Sequence, residues 1–275
     1  MKITALTENT AARPDLGTEH GLSIFIETQK HRIVCDFGAS ALFAENAEKL
    51  GIDIASADIA VLSHGHYDHG GGLGTFLEKN SRADVYVHQL AFGNYSSRRI
   101  TGEFRYIGLD QTLKASPRIR YNPGTVVIDD ELTIFSDVHG RRLFSETNRT
   151  LLEPDENGRF REDRFLHEQN LAITSSGKRV LISGCAHNGI VNILERFSEL
   201  FGEYPDIVVS GFHLSSPGSG SDVYSANTDG VAEYLLGCPG TFYTCHCTGM
   251  PAFNRLCELM GSRIRYFAAG DTITV

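Results

Sequence analysis

Ser63-His64-Gly65-His66-Tyr67-Asp68-His69-Gly70-Gly71-Gly72 follows directly on the apolar run Asp58-Ile59-Ala60-Val61-Leu62. Such a continuous run is the pattern of a strand buried on both faces. His64, His66, Asp68 and His69 then crowd into six residues. Inside a core each of these polar side chains would need its own partner. On a turn at the end of a strand, all four can enter one cavity. Neutral imidazoles with a carboxylate suit zinc, iron or manganese, and a mixed nitrogen and oxygen set leaves positions open for water. A lone histidine is more often a hydrogen-bonded structural residue; four potential ligands at this spacing are hard to place that way.

On either side, short β-branched runs alternate with amphipathic stretches. Ser23 to Glu27 and Arg32 to Asp36 read as two strands joined by a polar turn, followed by a helix over Ala41 to Leu50 and a strand at Asp84 to Val87. The second half has strands at Arg179 to Ser183, Asp206 to Val209 and Thr241 to Thr244, with closing strands in Ile264 to Val275. Helices are expected over Gly189 to Phe201, over Asn227 to Leu236 with Asn227 as the N-cap, and over Ala252 to Met260. In the first of these, Ile190, Ile193, Leu194, Phe197, Leu200 and Phe201 share one face. Two strand-then-helix halves point to layers of helix and sheet in one domain spanning 1–275. Residues from about 90 to 170 are polar, carry Pro117, Pro123 and Pro154, and show only brief β patterns such as Leu132 to Phe135. They read as an insertion or lid. Ser215 to Ser221 is a flexible loop by composition.

Composition narrows the function classes. With 41% hydrophobic residues in 275, the chain can bury a sizeable core. No run reaches the roughly 18 apolar residues that span a bilayer, and the start lacks the apolar region of a signal peptide, so a cytoplasmic protein without membrane contact is expected. A formal charge of −9 argues against holding nucleic acid by bulk electrostatics. Six cysteines without a secretion signal read as thiols or ligands rather than a disulfide framework. Oligomeric state is left open.

The His-x-His-x-Asp-His string closely resembles the signature of the metallo-β-lactamase superfamily, together with Asp36-Phe37-Gly38 after a strand and histidines at later strand ends. The resemblance implies a four-layer αββα sandwich with two divalent metal ions at one edge of the sheets, zinc first and manganese or iron as alternatives. It places His64 and His66 on the first metal and Asp68 and His69 on the second. Gly184-Cys185-Ala186-His187, Ser210-Gly211-Phe212-His213-Leu214 and Cys245-His246-Cys247-Thr248-Gly249 resemble the later motifs of one branch, as do Glu19 to Ser23 and Asn46 to Ile52. That branch is named for a dihydropterin-ribofuranosylaminobenzene 5′-phosphate synthase. Most of the superfamily carries a metal-bridging Asp where this chain has Cys185. By the branch's pattern His187 takes the missing place near the first metal and His246 binds the second.

Further roles follow from the same resemblance. Asp36 orients a ligand histidine, and Cys185 packs beside the metals, with thiolate ligation as its less favoured alternative. His213 is a catalytic or substrate-contacting residue, the alternative being a hydrogen-bonded structural histidine. His20 reaches substrate or stays on the surface. His31, His88, His139 and His167 lack comparable context, and Glu168 is an outside candidate. A zinc knuckle at Cys245 and Cys247 is disfavoured, since structural zinc wants four closed ligands. Arg141 and Arg142 are candidates for an anionic substrate. Against that, residues 98–164 hold 12 acidic side chains against 11 arginines and Lys114, which favours a solvated, salt-bridged lid. The expected activity uses a water or hydroxide at the metals, or an electrophile activated by them, on a small anionic molecule, phosphorylated or pterin-like. Asp68 is placed to orient the nucleophile. Hydrolysis of another ester (a lactone, thioester or phosphodiester) is the main alternative, and a non-catalytic metal or ligand sensor the lesser one.

Overall fold

Alternation of side chains along the strands decides the layering. In a computed structural model, which describes residues 1–215 and 225–275, the strand Arg32–Cys35 turns Ile33 and Cys35 to one core and Val34 to another. Ile59–Leu62 repeats this, with Ile59 and Val61 on the first side and Ala60 and Leu62 on the second. Strands that are apolar on both faces must be covered on both faces. Here one face meets a second sheet and the other meets helices.

The first sheet runs Thr272–Thr274, Lys2–Thr7, Ser23–Glu27, Arg32–Cys35, Ile59–Leu62, Asp84–His88, Ile119–Asn122. The second runs Ile264–Tyr266, Thr241–Thr244, Ile207–Ser210, Lys178–Ile182, Asn170–Ser175, Leu132–Phe135, Val126–Val127. Ile24, Ile33, Val61, Ile134, Ile173, Val180 and Val209 interdigitate between them. Helices Leu42–Lys49 and Leu73–Lys79 cover the first sheet through Phe43, Ala47 and Phe76. Helices Ile190–Phe201, Thr228–Leu236 and Met250–Met260 cover the second. The result is the expected αββα sandwich. Ile190, Ile193, Leu194 and Phe197 are buried along one helix face, each contributing about 1.5–3 kcal/mol by area. That helix stops at Gly202, whose φ of 78° is the left-handed conformation glycine adopts without penalty.

Two expectations need correction. The stretch at about 90–170 is not wholly an insertion: Ile119–Asn122 and Leu132–Phe135 belong to the main sheets. What stands apart is a small antiparallel sheet of Phe160–Glu162, Leu151–Pro154, Ser96–Arg98 and Phe104–Tyr106, whose strands are too short and polar to stand out in the sequence. Asn227 does not cap its helix through its side chain; its Nδ2 donates to Phe144 O at 2.8 Å instead. The expected loop at Ser215 to Ser221 lies, beyond Ser215, outside the described residues. Among the described residues no helix is long and apolar enough to cross a membrane.

Candidate metal centre

Parallel strands deliver the site. Arg32–Cys35, Ile59–Leu62 and Asp84–His88 run parallel in the first sheet, and Lys178–Ile182, Ile207–Ser210 and Thr241–Thr244 in the second. Their carboxyl ends share one edge, where open α/β sheets present ligand-binding loops. The chain leaves these strands sharply: Asp36, Ala186, His213 and His246 all have positive φ, between 45° and 60°. Backbone strain of this kind persists only where the surroundings fix it. Gly184 closes the gap between the two sheets, since a Cβ there would come within 2.2 Å of Ser63 Oγ.

His64, His66, His69, His187 and His246 are all brought together and buried. The His64 ring centroid lies 4.6 Å from that of His66, 4.2 Å from His69 and 4.8 Å from His187, and His69 lies 5.0 Å from His246. Asp68 Oδ2 sits 3.4 Å from both His246 Nε2 and His20 Nε2. His20, half-buried, stacks on His246 with centroids 4.6 Å apart, so it reaches the cavity.

Outer partners fix the direction of each ring. His69 Nδ1 meets Asp36 Oδ2 at 2.6 Å. Ser63 Oγ donates to the same carboxylate oxygen at 2.7 Å and therefore accepts from His64 Nδ1 at 2.8 Å. His187 Nδ1 meets Asn148 Oδ1 at 2.9 Å, and His246 Nδ1 meets Asn9 Oδ1 at 2.9 Å. With each Nδ1 proton directed away from the cavity, four Nε2 atoms face inward, the usual arrangement of imidazoles prepared for a metal. His66 Nε2 and His246 Nε2 are buried without a hydrogen bond, a cost a bound cation would remove.

Charges agree with that reading. Burial holds His64 and His187 well below the ordinary histidine range and His66 at about 3, so these rings are neutral and carry lone pairs. Burial would raise Asp68, but the neighbouring histidines His246, His69 and His20 pull it down and keep it ionised. Burial would lower His69, yet the Asp36 carboxylate outweighs this and lifts it to about 9. A cation must therefore displace a proton from His69. Ligating atoms of His64, Cys185 and His187 lie within 4.8 Å of one another, as do those of His69, Cys185 and His246, and those of His20, Asp68 and His246. The donor set fits divalent metal.

The structure separates the remaining candidates. His213 is buried, its ring 4.3 Å from that of His187 and its Nδ1 unpartnered. Cys185 Sγ faces inward, 3.0 Å from His69 Nε2. Cys245 lies in the core between the sheets while Cys247 faces Cys185 and His213, so the pair forms no knuckle. Arg141 donates to Asn188 Oδ1 at 2.9 Å and lies over Phe144. Arg142 does not turn to the cluster as expected: it pairs with Glu195 and covers Tyr234, in a surface cleft with Leu143 and Tyr204.

Apart from Glu168, an outside candidate, the site's other residues are not singled out by the sequence. His167, set aside there, is fully buried with its ring 5.3 Å from that of His66 and 4.0 Å from that of Tyr95. Its Nδ1 accepts from Gly65 N at 2.9 Å and its Nε2 meets Asp163 at 3.1 Å, so both nitrogens are spent and it walls the cavity without a lone pair to offer. The Asp163/His167 spacing was the one local signal. Glu168 accepts from the backbone of His187 and Asn188, and Glu8 accepts from His246 N at 2.6 Å and from Tyr266. Nothing near Glu8, Asn9 or Asn148 in the sequence announces these contacts.

The histidine and carboxylate cluster at the strand ends of an αββα sandwich is a candidate divalent-metal centre, and the chain belongs to the metallo-β-lactamase superfamily, whose family model matches residues 16–224. It is 30% identical over 304 aligned residues to the 7,8-dihydropterin-6-methyl-4-(β-D-ribofuranosyl)-aminobenzene-5′-phosphate synthase of Methanocaldococcus jannaschii, covering 99% of this chain and 96% of that protein. An uncharacterized protein of the same organism is 29% identical over 94% of each chain. Among solved structures, one described as a metal-dependent hydrolase of the β-lactamase superfamily is similar with a TM-score of 0.78 and 27% identity, over 100% of this chain and 99% of that one.

Proposed function

We propose that this chain is an enzyme with two adjacent divalent metal positions, acting on a small anionic substrate that is phosphorylated or pterin-like. His64, His66 and His187 hold the first metal; Asp68, His69 and His246 hold the second. The observation that carries this reading is the set of four inward Nε2 atoms whose rings are each fixed from behind by Ser63, Asp36, Asn148 or Asn9. Zinc is the first candidate, and metals held there supply Lewis acidity and an activated nucleophile at neutral pH.

The chain's own residues supply the rest. Asp68, ionised and at the cavity edge, orients the attacking group. His213 offers the unpartnered Nδ1 for a proton transfer. His20, at the mouth beside Asp68, contacts the substrate, and Arg141, braced by Asn188, adds positive charge for an anionic group. Tyr95, Phe165 and His167 wall His66 from solvent. The synthase relative supports a transfer in which an aryl or amine nucleophile takes the place of water; the similarity to a described hydrolase supports ester hydrolysis.

Metal content by plasma mass spectrometry after exhaustive dialysis is the test. About two equivalents are expected, with turnover on a panel of phosphate esters, lactones and thioesters, assayed with and without an aromatic amine acceptor. Turnover that needs the acceptor selects transfer. His66→Ala or His246→Ala removes metal and turnover and leaves the circular dichroism unchanged. Retained turnover in His66→Ala, or no metal uptake by the wild type, refutes the reading.

A further inference from the structure

Cys185 occupies the place where the two halves of the site meet. It belongs both to the triad with His64 and His187 and to the triad with His69 and His246, each with ligating atoms within 4.8 Å of one another. Its Sγ is buried and 3.0 Å from His69 Nε2. The turn that carries it is fixed: Gly211 N donates to Gly184 O at 2.8 Å, and Ala186 is held left-handed at φ 53°. The sulfur therefore points between the histidines of the first sheet and those of the second.

From this geometry we propose that the Cys185 thiolate is a ligand shared by both metal positions. The inference rests on the two-metal reading above. A thiolate sulfur has more than one lone pair, so a single atom can serve two cations. Its softness biases the site toward zinc or iron and away from manganese. On binding, the S–H bond breaks, its proton leaves to solvent and metal–sulfur bonds form. Cys247 is the competing sulfur: it forms a further triad with Cys185 and His213, and its Sγ accepts from His213 N at 3.3 Å. It is absent from both histidine triads that Cys185 joins.

Cobalt(II), titrated into metal-stripped protein, tests this, because a thiolate ligand produces a near-ultraviolet charge-transfer band. In the wild type the band is expected to grow through both the first and the second equivalent. It persists in Cys247→Ala and disappears in Cys185→Ala, which still binds cobalt. Cys185→Asp, whose carboxylate can also span two cations, retains two equivalents without the band and guards against misfolding of the alanine variant. X-ray absorption of the zinc-loaded wild type should show sulfur at about 2.3 Å, a result that needs no variant. A band that saturates at one equivalent overturns the sharing. A band that survives in Cys185→Ala, or vanishes in Cys247→Ala alone, or no sulfur in the zinc-loaded wild type, overturns the ligation. Wild type that holds neither metal overturns the two-metal reading itself.

Discussion

Replacing Asp36 with Asn should disable two ligands with one atom. The Asp36 carboxylate takes Ser63 N on Oδ1 at 2.7 Å, and Ser63 Oγ and His69 Nδ1 on Oδ2 at 2.7 and 2.6 Å. All three partners donate, and an amide has only one accepting atom. Either its NH2 faces Ser63 Oγ and His69 Nδ1, or it faces the Ser63 backbone N–H. In the first arrangement His69 must carry its proton on Nε2, which closes the lone pair to metal, and Ser63 no longer fixes His64. In the second a buried donor meets a donor, at about 1–3 kcal/mol. Loss of an outer partner of a metal-bound histidine costs about 10–100-fold in affinity. With His69 held directly and His64 held through Ser63, the expected loss is near 100-fold, or about 2.7 kcal/mol. Competition with a chromophoric chelator measures it, with circular dichroism to confirm the fold. Asp36→Asn holding zinc within threefold of the wild type would refute the reasoning.

Three other outcomes follow from the same structure. Phe197→Ala, at a fully buried helix position against the second sheet, should cost about 3–5 kcal/mol in chemical denaturation and leave metal stoichiometry unchanged; a loss below about 1 kcal/mol counts against the packing. Gly184→Ala forces a Cβ to within 2.2 Å of Ser63 Oγ and should destabilise by about 1–3 kcal/mol while lowering zinc occupancy; wild-type occupancy contradicts it. His31 bridges Asp58 and Asp129 at 2.6 and 2.9 Å, and these carboxylates raise its pKa although burial opposes them. Its contribution is therefore fully present below the unfolded value near pH 6.5 and is lost as pH rises through the higher folded value. The stability gap between wild type and His31→Asn should be larger at pH 6 than at pH 9; a constant gap removes this account.

The sequence by itself determined the sheet layers and the metal-facing turn, because both are written in local order. Alternation in Arg32 to Cys35 and Ile59 to Leu62 sends side chains to two faces, and a strand apolar on both must be covered on both. The crowding of His64, His66, Asp68 and His69 after Leu62 needs no distant partner to be noticed. What only the tertiary structure decided lies far apart in the chain. Glu8 and Asn9 hold His246 across 238 and 237 residues, Asn148 holds His187 across 39, and His167 meets Gly65 across 102. Arg142, adjacent to Arg141, turns to Tyr234 because the helix Thr228–Leu236 packs beside it. A single hydrogen bond carries no periodic pattern and no composition, so its partner appears only once the sheets have paired. The position of Cys185 between two sets of histidines has the same origin: it exists only where the strand ends of both sheets meet.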